Sequence, residues 1–350
     1  MGHLAKVTAC VMPALRRLAC SALVSSVTAA AFAASPAAAT TIAFYAPWDP
    51  PAESSLRRHA DQIDILAPAW ITVTGAKDQV VVGEITDEPS TVSALRRVHT
   101  ILPLVQNVVD GVWHSADAAS MLASATRRDA LLDRLEVAVA ARGGAGMIFD
   151  MEDLPPAAQS NYITFLTEAH QRFAGRHWRV GVCVPADSPE WKLSSYGQAA
   201  DLVILMAYDE HWQTSGAGAI ASPDWFLAVV KQAVAAVPPD RLVIGLASYG
   251  YDWPLGRVAR PLSVAAARAL ARRVGATIVR DAPDAQPHFA YSSKGVQHQV
   301  WFVDGQANRA EADAAHALGA RNLAVWRLGT EDPALWDWFA AARQPNRTRP

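Results

Sequence analysis

Residues 146–155 read Gly146-Met147-Ile148-Phe149-Asp150-Met151-Glu152-Asp153-Leu154-Pro155. This stretch predicts an apolar strand that ends in two carboxylates spaced i, i+2. Because side chains alternate along a strand, Asp150 and Glu152 point to the same face, about 6.5–7 Å apart along the backbone, with Ile148 beneath them. Two like charges held this close raise the pKa of one of them, so that one acid stays protonated near neutral pH. Cleavage of a glycosidic bond requires a proton donor of this kind.

The rest of the chain places this strand in a repeating pattern. From Thr41 onward, short apolar runs alternate with helical patterns, which is typical of consecutive β-α units that form a parallel sheet. The apolar runs are residues 41–48, 63–73, 101–108, 146–152, 178–184, 202–208, 242–249 and 322–326. Eight such units predict an α/β fold of the (β/α)8 TIM-barrel class, and we place the barrel domain at residues 40–345.

Two helices of this pattern have clear signals. Apolar residues recur at helical spacing from Tyr162 to Phe173, and Gly175 then predicts the end of that helix. Ser222-Pro223-Asp224 combines a capping residue, a first-turn Pro and an early acid, so a helix should begin there.

The connection between the seventh and eighth strands is too long for a simple β-α loop. It contains a helix that Ser263 should cap and three strand-like runs at residues 276–279, 288–291 and 299–303. We expect residues 258–304 to form a small α+β insertion that walls one side of a cleft.

The first 39 residues differ in composition from the rest. Lys6, Arg16 and Arg17 precede an apolar run of small residues, and a Ser-Pro-Ala tract follows, which is typical of a cleaved secretory signal. The alternative is an uncleaved membrane anchor, but the run is shorter than the roughly 20 residues that a spanning helix needs. We therefore expect a secreted or periplasmic protein with no stable membrane insertion after cleavage.

Composition limits the classes of function. The chain has 350 residues, of which 51% are apolar and 18% charged, as in an ordinary globular protein. Removing the signal takes away three basic residues and no acidic one, so the formal net charge falls from −2 to about −5. This charge does not favour binding to nucleic acid. Cys183 alone remains in the mature chain, which excludes an intramolecular disulfide and a cysteine-based metal site.

In a barrel of this type, the loops after the strands build the active site. The predicted strand ends carry carboxylates, amides and aromatic rings, which suit the hydroxyls and the C–H faces of sugar rings. The candidate residues for binding substrate are Tyr45, Trp48, Asn107, Asp209, Tyr249, Trp253 and Trp326. We expect a polysaccharide as the partner. Asp209-Glu210-His211 has no second His nearby, so we interpret it as a turn and expect no metal.

Several of these segments resemble motifs of glycoside hydrolase family 18. The hallmark of that family is Asp-x-x-Asp-x-Asp-x-Glu on the fourth barrel strand, where this chain has Ala145, Ile148, Asp150 and Glu152. Residues 206–212 look like the family's sixth-strand Met-x-Tyr-Asp motif, residues 249–253 like its seventh strand and residues 326–333 like the end of its eighth. The resemblance covers roughly residues 41–339 and is closest to the branch of spore-cortex hydrolases and exopolysaccharide-associated domains.

The resemblance implies a retaining mechanism that needs no cofactor, in which the 2-acetamido oxygen of the substrate attacks the anomeric carbon. Glu152 would be the general acid and base, and Asp150 would orient the acetamide and stabilise the oxazolinium. Tyr208 and Asp209 would hold the acetamide carbonyl, and Trp326 would form the floor of the central subsite.

Two acids of the family motif are replaced here. In the full motif the inner acid, here Ile148, shares a proton with the central Asp. With an apolar neighbour instead, Asp150 should have a raised pKa and stay close to Glu152. The leading hypothesis is a glycosidase that acts on a β-linked N-acetylhexosamine polysaccharide. The alternative is a non-catalytic carbohydrate-binding barrel, and the third is a scaffold that binds no sugar.

Overall fold

The computed structural model describes residues 39–75, 77–83 and 88–342, and the statements below refer to these ranges. Residues 1–38 of the predicted signal lie outside them. No helix in the described ranges is both long and apolar enough to cross a bilayer.

The described residues form 17 strands, ten α-helices and two short 3-10 helices. The strands are β1 (Thr41–Tyr45), β2 (Ile65–Pro68), β3 (Ile71–Thr74), β4 (Gln79–Val82), β5 (Thr100–Ile101), β6 (Leu104–Gln106), β7 (Val108–Val109), β8 (Val112–Trp113), β9 (Gly146–Asp150), β10 (Arg179–Pro185), β11 (Leu202–Met206), β12 (Leu242–Ala247), β13 (Tyr249–Pro254), β14 (Arg260–Ser263), β15 (His288–Ser293), β16 (Val296–Phe302) and β17 (Asn322–Trp326). The helices are α1 (Pro50–His59), α2 (Pro89–Arg97), α3 (Ser115–Leu122), α4 (Ala125–Ala140), α5 (Gln159–Ala174), α6 (Leu193–Ala199), α7 (Pro223–Ala236), α8 (Val264–Val274), α9 (Gly305–Ala317) and α10 (Ala334–Ala342), with 3-10 helices at Ala60–Gln62 and Pro156–Ala158.

The parallel strands close into a ring with eight positions, which confirms the predicted (β/α)8 barrel. β9, β10, β11, β12, β17 and β1 pair in that order. Two positions are each divided into two strands. β2 pairs with β1 and β5, whereas β3 pairs with β6. β2 and β3 therefore act as one bent strand, and β5 and β6 act as another. Pro103 interrupts the second of these, since proline has no N–H for the ladder.

Alternation along the ring strands divides the apolar residues between two cores. On β9, Ile148 points into the barrel, whereas Met147 and Phe149 pack outward against the helices. The barrel interior is filled by Ile42, Phe44, Ile65, Ala67, Leu102, Leu104, Ile148, Cys183, Leu202, Ile204, Val243 and Ala324. Because this interior is packed, a ligand can enter only at the end of the ring where the strands finish.

The insertion between β12 and β17 is an antiparallel sheet of four strands, in the order β14-β13-β16-β15, with α8 against it. It begins at Tyr249, upstream of the predicted start, because β13 belongs to this sheet. Gly250 allows the close pairing, since a Cβ there would lie 2.4 Å from the Cβ of Phe302. The strand predicted at residues 276–279 is wrong, because only an isolated bridge from Val279 to His288 forms there.

The two predicted helix caps differ in outcome. The Ser263 hydroxyl accepts a hydrogen bond from the Ala266 N–H at 3.1 Å and caps α8 as predicted. α7 begins at Pro223 as predicted, but the side chain of Ser222 does not cap it. The Ser222 hydroxyl instead donates to Glu210 at 3.0 Å, which ties the loop after β11 to the start of α7.

Candidate active site

A cleft of about 230 Å³ opens at the carboxyl ends of the ring strands. The three residues predicted as catalytic, Asp150, Glu152 and Tyr208, all line it. The other lining residues are Phe44, Cys183, Pro185, Ala186, Met206, Asp209 and Trp326. These seven come from the ends of β1, β10, β11 and β17 and from the loops that follow them, so the barrel brings distant parts of the sequence to one mouth.

Asp150 and Glu152 form a hydrogen-bonded acid pair at the base of this cleft. Asp150, the last residue of β9, is 4% exposed, and burial raises its pKa to about 6. Glu152 is half-buried. Its pKa is raised well above the ordinary range, mainly by burial and to a smaller extent by the negative charge of Asp150. The pair therefore holds a proton at neutral pH, and Glu152 is the member that carries it.

Two amides at the end of β6 hold the acid pair in place. Gln106 donates from Nε2 to Oδ2 of Asp150 at 2.8 Å. Asn107 contacts only the main chain of Glu152, with Nδ2 3.2 Å from its carbonyl and Oδ1 3.0 Å from its nitrogen. Asn107 is 1% exposed, so its place is behind the acid pair rather than in the cleft, and it positions Glu152.

Tyr208 and Asp209 face the acid pair from the end of β11. Burial raises the pKa of Tyr208 well above its usual range, so its hydroxyl is a hydrogen-bond donor at neutral pH. Asp209 adopts a left-handed backbone, with φ at 62°, and accepts a hydrogen bond from the Tyr249 hydroxyl at 2.5 Å. Burial raises the pKa of Asp209 to about 6.

Trp326 stands between this cleft and a second chamber of about 350 Å³. Its ring lies edge-on to Phe44, with a centroid distance of 5.3 Å. Asp209 and Trp326 line both spaces, so the two are adjacent. The second chamber is completed by Asp49, Pro51, Tyr249, Tyr251, Pro261, Leu262, Ser263, Arg327, Gly329 and Thr330. Arg327 pairs with Asp49, so this basic side chain is neutralised within the chamber.

Besides Asn107, three of the predicted binding residues do not line the cleft or the second chamber. Tyr45 is 4% exposed and packs outward between the sheet and the helices, because the alternation of β1 points Phe44 inward instead. Trp253 is 5% exposed within the insertion and donates to the Trp212 carbonyl. Trp48 is 65% exposed and lines a separate depression with Trp70.

The sequence did not single out Phe44 and Cys183, which line the cleft, or Tyr251 and Arg327, which line the second chamber. Barrel strands are apolar on both faces, so their sequence does not show which residues point inward. Phe44 and Cys183 could have been found only from the strand register. Tyr251 had a usable signal, because it is two residues from Tyr249 and shares its face in β13.

Glu210 and His211 do not join a metal centre. Glu210 bonds Ser222, and the His211 ring contacts the Ala219 carbonyl at 2.9 Å. Within the ranges that the structure describes, no group of three or more potential ligands could hold a metal ion.

Comparison with known proteins identifies the family. The family model described as "Glycosyl hydrolases family 18" matches residues 40–331, which is most of the chain. The chain belongs to glycosyl hydrolase family 18. The match spans the whole ring and the insertion, and it includes every residue of the cleft.

Related proteins place the chain within this family. It is 28% identical over 276 residues to a cortical fragment-lytic enzyme of Bacillus anthracis, a match that covers 75% of this chain and 64% of that protein. The chain therefore spans less than two thirds of this relative's length. The spore cortex-lytic enzyme SleL of Bacillus cereus has the same fold, with a TM-score of 0.78 at 23% identity over 87% of this chain and 74% of that one. A chitinase of Chromobacterium violaceum ATCC 12472 superposes with a TM-score of 0.79 at 24% identity, over 89% of this chain and all of the chitinase chain.

Proposed function

We propose that this chain is a glycosidase that hydrolyses a β-linked N-acetylhexosamine polysaccharide, with Glu152 as the general acid and base. The observation that carries the proposal is the acid pair. Glu152 reaches the cleft, is only half-buried and holds a proton against Asp150, while Tyr208 faces the same space. The names of the relatives, cortical fragment-lytic enzyme and chitinase, support substrates of this class.

The first step uses the acetamide of the substrate as nucleophile. Glu152 gives its proton to the glycosidic oxygen while the acetamide oxygen attacks the anomeric carbon and the aglycone leaves. Asp150, as a carboxylate, accepts a hydrogen bond from the acetamide N–H and stabilises the positive charge of the oxazolinium. The Tyr208 hydroxyl donates to the acetamide oxygen and fixes its direction of attack. In the second step Glu152, now a base, takes a proton from the water that opens the oxazolinium, so the configuration is retained.

The cleft and the adjacent second chamber suggest how a polymer would lie. The Trp326 ring forms a flat apolar wall between them, suited to the C–H face of one sugar. Asp209 and Tyr249 offer polar atoms to its hydroxyls. A chain of sugars would pass across Trp326 and present the bond to be cleaved to Glu152.

The test is incubation of the protein with chitin oligomers, poly-N-acetylglucosamine and peptidoglycan, with products identified by mass spectrometry. Cleavage confined to acetylated units is expected, because only these carry the nucleophile. Glu152→Gln should abolish turnover and retain binding. Asp153→Asn is the matched control, since Asp153 is an exposed acid in the same turn and Asn tolerates its positive φ. Unchanged cleavage by Glu152→Gln would refute the assignment of the acid.

A second candidate is a carbohydrate-binding barrel without activity. It is favoured by Ile148, which is fully buried where the family motif has an inner acid. This candidate predicts that oligosaccharides bind to the wild-type protein and that no reducing ends appear.

We also propose that the first 39 residues are an export signal, so that the enzyme meets its polysaccharide outside the cytoplasm. N-terminal sequencing of the protein recovered from the medium or periplasm should begin near residue 40. A chain that retains Met1 and stays in the cytoplasm would contradict this.

A further inference from the structure

Cys183 lies directly beside the central acid of the cleft. In the pairing of β9 with β10, Val182 is opposite Phe149, so the next residues along, Cys183 and Asp150, are level with each other. Cys183 points into the barrel, is 4% exposed and lines the cleft together with Asp150 and Glu152. This thiol is therefore part of the acid pair's surroundings and not of the outer core.

The Asp150 carboxylate has one oxygen that lacks an ordinary donor. Oδ2 accepts from Gln106, whereas Oδ1 is buried and has no hydrogen-bond partner among the described residues. Ile148, the neighbour beneath, has no polar atom. Besides the Gln106 amide, the neighbouring groups that lower the pKa of Asp150, and so stabilise its carboxylate, are the Glu152 acid and the Cys183 thiol. A buried carboxylate oxygen without a donor is costly, so these two groups matter.

We propose that Cys183 is a positioning residue for the hydrolysis, whose thiol donates a hydrogen bond to Oδ1 of Asp150. The role rests on the function proposed above. When Glu152 gives its proton to the glycosidic oxygen, it ceases to donate to Asp150 and becomes a second anion beside it. At that moment Asp150 must be a carboxylate to stabilise the oxazolinium, and its remaining donors are Gln106 and Cys183.

The surroundings keep this thiol in its protonated, donating form. Burial, followed by the charges of Asp150 and Glu152, raises the pKa of Cys183 well above its ordinary value. Cys183 is therefore a hydrogen-bond donor throughout the working pH range and not a nucleophile. The unpartnered Oδ1 of Asp150 offers an acceptor to its hydrogen, which distinguishes Cys183 from a cysteine that only fills space.

The pH profile of turnover tests the role. Loss of the donor destabilises the Asp150 carboxylate and so raises the pKa of Asp150. In Cys183→Ala the acid limb of the pH profile of kcat should therefore move upward by about one pH unit, which lowers turnover on the order of tenfold near pH 5. Cys183→Ser keeps a donor and should leave the limb near its wild-type position. Ile204→Val removes a methyl group from the same barrel interior and should not move it. Profiles of Cys183→Ala and wild type that coincide, or an equal shift in Cys183→Ser, would overturn the proposal.

A second measurement does not depend on turnover. Cys10 and Cys20 are the other cysteines, so in the full chain with Cys10→Ala and Cys20→Ala the infrared S–H band reports on Cys183 alone. The band should shift as Asp150 titrates near pH 6 and should change in Asp150→Asn. A band insensitive to both would refute the contact. If the contact is seen but wild type cleaves no glycan, the function proposed above fails and the catalytic role of Cys183 falls with it. If wild type cleaves and the band is insensitive, only the inference about Cys183 is wrong.

Discussion

Asn107 gives a direct test of how the cleft holds its proton donor. Its buried side chain bonds both the N–H and the carbonyl of Glu152, at 3.0 and 3.2 Å. Asn107→Ala removes both bonds, and at about 1 kcal/mol for each the free energy of unfolding should fall by about 2 kcal/mol. The main chain of Glu152 is then free to move. A displacement of about 1 Å at a reacting group can lower kcat on the order of a hundredfold.

The assay combines urea unfolding with steady-state kinetics on chitin oligomers. Asn322→Ala is the matched control, because Asn322 is also buried and bonds main-chain groups, the Thr40 N–H at 3.1 Å and the Leu242 carbonyl at 3.0 Å, at the start of β17 and so at the opposite end of the ring from the cleft. It should lose comparable stability and little kcat. Asn107→Asp keeps the acceptor for the Glu152 N–H but adds a charge nearby, which should raise the pKa of Glu152 and move the basic limb of the profile upward.

The kinetic parameters decide between two roles for Asn107. The sequence predicts that Asn107 binds substrate, whereas its contacts indicate that it positions Glu152. Loss in kcat with little change in KM supports positioning. A raised KM with unchanged kcat would refute the reasoning above and restore the role predicted from the sequence.

Two further predictions concern a buried acid on α9 and a glycine beside Tyr208. Glu311 is 6% exposed, accepts hydrogen bonds from Gln286 and Asn308, and has a pKa raised by burial from 4.5 to about 8. Between these two pH values the folded state keeps a proton on Glu311 that the unfolded state has lost. The free energy of unfolding should therefore fall by a few kcal/mol as pH rises from about 4.5 to 8, and it should fall less steeply in Glu311→Gln. Equal slopes for the two proteins, measured by urea unfolding at a series of pH values, would contradict this. A Cβ on Gly245 would lie 2.8 Å from the Leu205 carbonyl oxygen and 3.2 Å from the Tyr208 ring. Gly245→Ala should therefore displace Tyr208 and lower kcat about tenfold. Gly197→Ala, where the nearest atom is 3.4 Å away, is the control, and equal activity in the two variants would show that Tyr208 tolerates the shift.

The ring and the acid pair were predictable because their signals are local. Each strand is a short apolar run, and the i, i+2 spacing of Asp150 and Glu152 fixes their common side without any tertiary information. β9 ends at Asp150, two residues earlier than predicted, yet Glu152 still reaches the cleft, because Asn107 holds its main chain.

The neighbours of the acid pair were not predictable to the same degree. Tyr45 is predicted to bind substrate as an aromatic ring at a strand end, but the register of β1 with β2 and β17 turns Phe44 inward instead. Trp253 suits a sugar by residue type and is instead packed inside the insertion sheet, whose pairing joins residues about 50 positions apart. In both cases the side-chain direction depends on long-range pairing that the local pattern does not contain.

Ile148 connects the packing of the barrel to the chemistry of the cleft. Its side chain is fully buried, and a Cβ on Gly181 of the neighbouring strand would lie 2.9 Å from its Cγ1, so the interior is shaped around the isoleucine. An acid at this position would be a third carboxyl beside Asp150 and Glu152, and it would be buried among the apolar side chains of the barrel interior. With an apolar group beneath it, Asp150 has no partner below with which to share a proton. Among the residues that the structure describes, Asp150 shares its proton with Glu152, and its carboxylate is stabilised by Gln106 on β6 and Cys183 on β10. Because Ile148 stands where the family motif has an acid, the groups that stabilise the Asp150 carboxylate come from the two strands beside β9 and not from β9 itself.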